Sequence, residues 1–404
     1  MRKATKPAPQ HGNGDGDGAR RHPRAGTSAE VFLITGGCGF IGTNLAHALL
    51  ERGHRVRVYD NLSRRGVERN LRWLQQEHGS NLEVEIADVR DTEALREAMR
   101  DVSFVYHFAA QVAVTTSLQR PLHDFEVNAG GTLNVLEAIR SMDDPPPIVY
   151  TSTNKVYGAL EDLALTDASG RYEPSDSRIA KFGVNESRAL DFHSPYGCSK
   201  GTADQYIADY ARSFGFQSVV FRMSCIYGPH QFGNEDQGWV AHFVLRSLQN
   251  EPITLYGDGR QVRDILFVED LVDAFLRAKE HIDAISGQAF NIGGGPRNAV
   301  SLLQLLDLIS SLGAKTAKVR FDQWRTGDQR YYVSDTSRFR EATGWMPRHD
   351  VKCGVQQLYS WLAESRREER VLREANITTI RRPLPVPPTD QPIPLERSLG
   401  VAGK

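Results

Sequence analysis

The chain has 404 residues, a formal net charge of −1 and 25% charged residues, a globular composition long enough for one large or two smaller domains. The near-neutral balance excludes a general binder of nucleic acid or of a membrane surface, because both select a basic excess. No apolar run reaches the roughly 18 residues that a membrane helix needs. Cys38, Cys198, Cys225 and Cys353 are widely spaced and form no CxxC pair. That suits a reducing, cytoplasmic setting and leaves no expected metal site. The basic N-terminus has no apolar segment behind it, so a secretory signal is not expected.

In chain order, residues 1–29 are polar and Gly/Pro-rich and read as a disordered tail. VFLIT (31–35) is a short apolar strand, and FIGTNLAHALLERG (40–53) has helical periodicity ending on Gly. Further strands are RVRVYD (55–60), LEVEIAD (82–88), VSFVYHFAA (102–110), PIVYTS (147–152) and QSVVFRMS (217–224). Between them TEALREAM (92–99), a long stretch from Pro121 to Arg140 and SPYGCSKGTADQYIADYARSFG (194–215) read as helices. Apolar strands alternating with amphipathic helices predict a parallel sheet covered on both faces. After about Ser224 the rhythm loosens, and from about Asn376 the chain is Pro-rich and extended. No internal repeat is present.

Gly36, Gly39 and Gly42 follow the first strand directly and open a helix. Glycines so placed allow a tight turn, close approach of backbone to a pyrophosphate, and close helix–sheet packing. Asp60 ends the next strand, at about the 20-residue distance expected of a residue that accepts from a ribose 2′-hydroxyl. It favours NAD over NADP, and Arg64 and Arg65 read as solvated loop residues. Asp88 is equally suited to an adenine amino group and to capping the following helix. The expected fold is α/β, a doubly wound parallel Rossmann sheet with a smaller C-terminal substrate-binding region. The NAD-binding domain spans 30–222. The substrate-binding region spans 223–375 and sends strands and helices back to it, and 376–404 is a tail.

Tyr196 and Lys200 stand four apart on one helix face. Removing a phenolic proton at pH 7 costs about 4 kcal/mol when the pKa is near 10. A neighbouring ammonium favours the phenolate, so the pair is a candidate general base. Thr153 ends the hydroxyl-rich strand YTST and can hydrogen-bond the oxygen that Tyr196 deprotonates.

GGCGFIG, Asp60, HFAA, YTSTNKVYG, YGCSK and QVRDILFVEDL together resemble the extended short-chain dehydrogenase/reductase family of nucleotide-sugar epimerases and dehydratases, from Val31 to about Trp361. Within it, STNKVYG, DFHSPYGCSK, SCIYGPHQFG and EDQGWVAHF most resemble the branch that inverts C2 of CDP-hexoses. The resemblance implies catalytic roles for Thr153, Tyr196 and Lys200. It implies NAD contacts from Gly36, Gly39, Phe40, Ile41, Gly42, Asp60, Asn61, Asp88, Val89, Ala109, Ala110, Gln111, Asn128, Tyr196 and Lys200. Read alone, Asn128 is a helix-interior asparagine facing solvent. Asn154, His193, Arg263, Arg325 and Asp328 match substrate positions, although His193 equally reads as a helix start. The family also implies a homodimer through the 121–140 and Tyr-Lys helices.

Two positions depart from the family pattern. Cys225 stands where many relatives carry a substrate-contacting Asn, and reads as a small buried apolar residue. Asn154 and Lys155 stand where the 4,6-dehydratases carry an Asp-Glu pair that helps expel water. Without that acid pair, dehydration is disfavoured. What the resemblance leaves is oxidation of one sugar carbon to a ketone by enzyme-held NAD, turning of the ketone, and reduction from the other face. A 4-epimerase, a sugar reductase and a non-catalytic NAD-sensing protein are the alternative readings.

Overall fold

The computed structural model describes residues 30–168, 170–313, 318–325 and 327–374, with side chains as far as residue 367. The two expected tails lie outside the described residues. Seven strands form the main sheet: β1 Val31–Thr35, β2 Arg55–Tyr59, β3 Leu82–Glu85, β4 Phe104–His107, β5 Ile148–Thr153, β6 Ser218–Met223 and β7 Gln288–Ile292. Their order is β7-β6-β5-β4-β1-β2-β3, and every pair is parallel. The inner strands read as continuous apolar runs because helices cover both faces, and β1, β4 and β5 are buried throughout. The connectivity reverses between β1 and β4. A doubly wound sheet opens its ligand crevice at the carboxyl ends of such a pair.

The sequence reading expects strands to return from the later region but does not locate β7. QAFNI is five residues long and carries a buried asparagine, Asn291, so no periodicity marks it. It brings the later part of the chain back beside β6. Within that part the helix Val268–Glu280, Phe339 and Trp345 join the main core, and other elements form a second one. Cys225–Tyr227 pairs with Val262–Phe267, which also pairs with Ala299–Ser301 and Tyr331–Tyr332. The helices Trp239–Gln249, Leu302–Ser311 and Val351–Glu374 pack around Tyr227, Phe243, Phe267 and Leu358.

The stretch Pro121–Arg140 is not one regular helix. Two α-helical pieces, Pro121–Phe125 and Gly131–Arg140, flank a π-helical turn at Glu126–Gly130. Such turns insert one extra residue and re-aim side chains; here Asn128 lies buried within it. The first labelled helix, α1, is Phe40–Leu50, and the helix carrying the Tyr-Lys pair, α2, is Ser194–Phe214. The buried face of α2 includes Lys200, Ala203, Asp204 and Ile207, at helical spacing. Among the described residues no helix is long and apolar enough to cross a membrane.

A buried ion pair fixes α2 to the sheet. Arg222 of β6 donates to both carboxylate oxygens of Asp204, Nε at 2.9 Å and Nη2 at 2.8 Å. Its Nη1 reaches Tyr157, whose hydroxyl donates to Asn291 of β7 at 2.7 Å. Breaking such a pair from one side strands a buried charge. Asp204→Ala is therefore expected to lower stability by about 3–5 kcal/mol, measured by denaturant unfolding. A loss no larger than that of an exposed Asp→Ala would contradict this role for the pair.

Candidate active site

The glycine loop sits at the crevice between β1 and β4. Gly36 has φ +68°, and a Cβ there would lie 2.8 Å from the Ala109 amide nitrogen. A Cβ on Gly37 would lie 2.6 Å from Val58, and one on Gly42 would run into the Gly36 carbonyl. Gly39 differs, since within 4 Å its Cβ would meet only the Gly36 carbonyl, at 3.1 Å. The space in front of α1 is thus open where a backbone must meet a ligand, and no side chain caps that helix. Its first amides are presented to an anion. Phe40 and Ile41 form the first turn of α1, and Ile41 packs on the core beneath.

Asp60 accepts from the Cys38 amide (3.1 Å) and the Leu62 amide (2.9 Å). Each oxygen keeps acceptor capacity. Burial pushes its carboxyl up, while the backbone donors and Arg64 work the other way. Asp88 behaves oppositely. Burial would raise it, but hydrogen bonds from Arg90 and Asn61 outweigh that and hold it at about 2. Asn61 Nδ2 reaches Asp88 Oδ2 at 2.8 Å, so these two predicted residues come together. The capping alternative for Asp88 fails, because Asp91 caps the helix Thr92–Ala98. The Val89 side chain is core, against which Gly131 packs.

Thr153 ends β5 and faces α2. Burial pushes the Tyr196 phenol up to about 12, opposed by the neighbouring Thr153 hydroxyl. One turn later Lys200 Nζ donates to the Thr151 carbonyl at 2.6 Å and lies 4.3 Å from the Tyr150 ring centroid. Burial pulls the Lys200 ammonium down to about 7, with Asp204 and Asp124 opposing. The sequence suggests that Lys200 lowers the Tyr196 pKa. Burial prevails at both groups: at neutral pH the phenol keeps its proton, and the amine is divided between its charged and neutral forms.

A buried network missed in the sequence orients this pair. Ser199 donates to Asp124 at 2.5 Å, and Gln111 Nε2 donates to the same carboxylate at 2.6 Å. Asn128 Nδ2 reaches Ser199 at 3.0 Å and the Gln111 carbonyl at 3.0 Å, while its Oδ1 accepts from the Gln111 amide at 2.8 Å. Asn128 therefore does not face solvent; it clips the Ala109-Ala110-Gln111 turn to α2. Ala109 is tied to β1 through Thr35. Asp124 and Asn128 stand four apart, a spacing that could have signalled a shared helix face. Nothing local marks Ser199 as their partner.

At the other end, Arg263 donates to Asp328 at 2.7 Å. Lys155 Nζ lies 3.5 Å from the same carboxylate oxygen and donates to the Gly327 carbonyl at 3.1 Å. Burial would raise the Asp328 carboxyl, but Arg263 and Lys155 hold it below its usual range. Asn154 is buried and donates to Gln329 at 2.9 Å. Arg325 turns elsewhere, stacking 3.8 Å from the Tyr256 centroid and pairing with Asp236. His193 is exposed, beside Asp191, at the start of α2. Cys225 packs on the second core; burial pushes its thiol up, while Arg263 and Lys155 work the other way.

The sequence profile of the NAD dependent epimerase/dehydratase family matches residues 32–293. The chain belongs to this family. It is 45% identical over 339 residues to CDP-paratose 2-epimerase of Salmonella typhi, covering 82% of this chain and 98% of that protein. It is 30% identical to a putative UDP-glucose 4-epimerase of Methanocaldococcus jannaschii, covering 83% and 100%. Among solved structures it resembles the Thermotoga maritima UDP-glucose 4-epimerase with UDP-glucose (TM-score 0.71, 29% identity, 83% of this chain and 99% of that one). The Bacillus cereus UDP-glucuronic acid 4-epimerase with UDP-glucuronic acid and NAD gives TM-score 0.71 at 25% identity, covering 83% and 99%.

The family's cofactor is NAD, and the cradle fits it. The open face at Gly39 admits a pyrophosphate, and Asp60 retains acceptors for ribose hydroxyls. Because Asp60 is raised and Asp88 is held at about 2, acidification protonates Asp60 first. NAD affinity is expected to fall from pH 7 toward 4, and Asp60→Asn is expected to flatten that fall, whereas Asp88→Asn is not. A slope unchanged in Asp60→Asn, measured by calorimetry, would contradict the assignment.

Proposed function

We propose that the protein is an NAD-dependent nucleotide-sugar epimerase that inverts C2 of a CDP-hexose, of the CDP-paratose to CDP-tyvelose type, through a transient ketone. The observation that carries this reading is the turn after Thr153. The hydroxyl, phenol and amine are assembled, but Asn154 and Lys155 stand beside them and both are engaged with the Gly327–Gln329 segment. Asp328 is held ionised there by Arg263 and Lys155, so it is no proton donor. The site can move one hydroxyl proton but lacks the acid that water elimination requires. The choice of C2 and of cytidine rests on the 45% identity to the Salmonella typhi enzyme.

In this reading Thr153 and Tyr196 share one sugar hydroxyl. Thr153 orients it, and Tyr196 takes its proton as the carbonyl forms. When bound, NAD would supply a reversible hydride acceptor and a positive charge that favours the phenolate. Lys200, one helix turn from Tyr196, gains its proton more readily once a phenolate exists, so the two charges appear together. Tyr196 returns the proton when the ketone is reduced from its other face. Arg263, fixed on a strand, suits a diphosphate and would hold the nucleotide while the sugar turns.

The proposal includes a homodimer and a cytoplasmic setting. Leu118, Leu122 and Phe125, on the segments before the π-turn, and Tyr206 and Phe214 of α2 are exposed apolar side chains that a second copy would cover. All four cysteines are free, as a reducing compartment requires.

Incubation with CDP-, UDP-, dTDP- and GDP-hexoses, followed by proton NMR, is expected to show inversion of H2 in a CDP-hexose without net change at the NADH absorbance band. Tyr196→Phe is expected to cut turnover by about a thousandfold while keeping bound NAD. Inversion of H4 would shift the reading to a 4-epimerase, NADH consumption to a reductase, and no product with any sugar to an NAD-sensing protein.

A further inference from the structure

Asn154 and Lys155 are the chain's departure from a dehydratase pattern, and the C2 reading uses only what they lack. Their contacts say what they do. Asn154 Nδ2 donates to Gln329 Oε1 at 2.9 Å, and Gln329 Nε2 donates back to the Gly158 carbonyl at 2.7 Å. Lys155 Nζ donates to the Gly327 carbonyl at 3.1 Å and lies 3.5 Å from Asp328. Arg263 donates to the same Asp328 oxygen at 2.7 Å. The Gly327–Gln329 segment is thus pinned between the end of β5 and the strand Val262–Phe267.

The pinning continues to the reacting centre. Thr153 Oγ1 donates to Asn154 Oδ1 at 3.4 Å and accepts from the Lys155 amide at 3.3 Å. The Thr153 hydroxyl also neighbours the Tyr196 phenol and works against the effect of its burial. A chain of hydrogen bonds therefore runs from Thr153, beside Tyr196, through Asn154 to Gln329. Gln329 is fully buried and Asn154 is 8% exposed, so each bond lost leaves a buried polar group unpaired.

We propose that Asn154 and Lys155 are positioning residues that register the Gly327–Gln329 segment, and with it the Arg263–Asp328 pair, to Thr153 and Tyr196. Asn154 acts through Gln329 and not on the sugar. Lys155 acts through Gly327 and Asp328, and it keeps the Asp328 carboxylate charged and in place. The positions that hold an acid pair in the dehydratases here couple the nucleotide end of the site to the reacting end. For its effect on turnover the inference rests on the C2-epimerase reading; for its effect on the segment it does not.

The test is hydrogen exchange on NAD-loaded full-length protein, read on a peptide covering Gly327–Arg330, together with CDP affinity by calorimetry and steady-state kinetics. Lys155→Met and Asn154→Ala are expected to speed exchange in that peptide at least tenfold. Both are expected to weaken CDP binding and raise KM about tenfold while kcat changes less than threefold, and Lys155→Arg is expected to restore most of the protection. Asp328→Asn breaks the same contact from the loop side and gives the same release should either variant fold poorly. Unchanged exchange overturns the proposal whatever the substrate. A lost kcat with CDP affinity intact also overturns it, because the residues would then touch the reacting sugar. Released exchange in a protein that epimerises no CDP-hexose sustains the positioning role and rejects the C2 reading.

Discussion

Everything at the reacting end depends on how the last residues of β5 meet the first turns of α2. Tyr196 and Lys200 are four residues apart on a helix, about 6 Å along its axis. Thr151 and Thr153 are two apart on a strand, about 6.6 Å along it. The two periods nearly match, so the Thr153 hydroxyl faces Tyr196 while the Thr151 carbonyl takes the Lys200 ammonium. The register of helix against strand is the working geometry. The Asp204–Arg222 pair and the Asp124–Ser199 bond, both buried, resist any slip of it.

That constraint also explains the direction in which both groups shift. Packing α2 tightly on β5 removes water from the phenol and the amine together, so burial raises the phenol and lowers the amine. A phenol so buried gives up its proton only when compensating positive charge stands beside it.

What the sequence made legible was local. The glycine loop, Asp60 and the Tyr-Lys pair are recognisable because strand-turn-helix spacing and helical spacing are written within a few residues or a single strand-helix-strand unit. What escaped was long-range. Asp124 and Ser199 are 75 residues apart, and Asn154 and Gln329 are 175 apart. No periodicity joins them. Strand β7 escaped because its five residues carry a polar Asn291, buried only because Tyr157 and Val184 meet its side chain. The depth at which Tyr196 and Lys200 are buried was not legible either, because burial is a property of the packed chain. Of the residues implied by the resemblance, Arg325 turns to Tyr256 and Asp236, and the Val89 side chain belongs to the core.

The central claim is that one carbon is oxidised and reduced again inside the pocket, with Tyr196 moving only a hydroxyl proton. Running the epimerisation of a CDP-hexose in deuterated water tests it directly. The carbon-bound hydrogen should return to the same carbon on the opposite face, so NMR and mass spectrometry of the product should show no deuterium at the inverted centre. Deuterium bound to that carbon would mean that the inversion passes through solvent-exchanged deprotonation, and it would contradict the account.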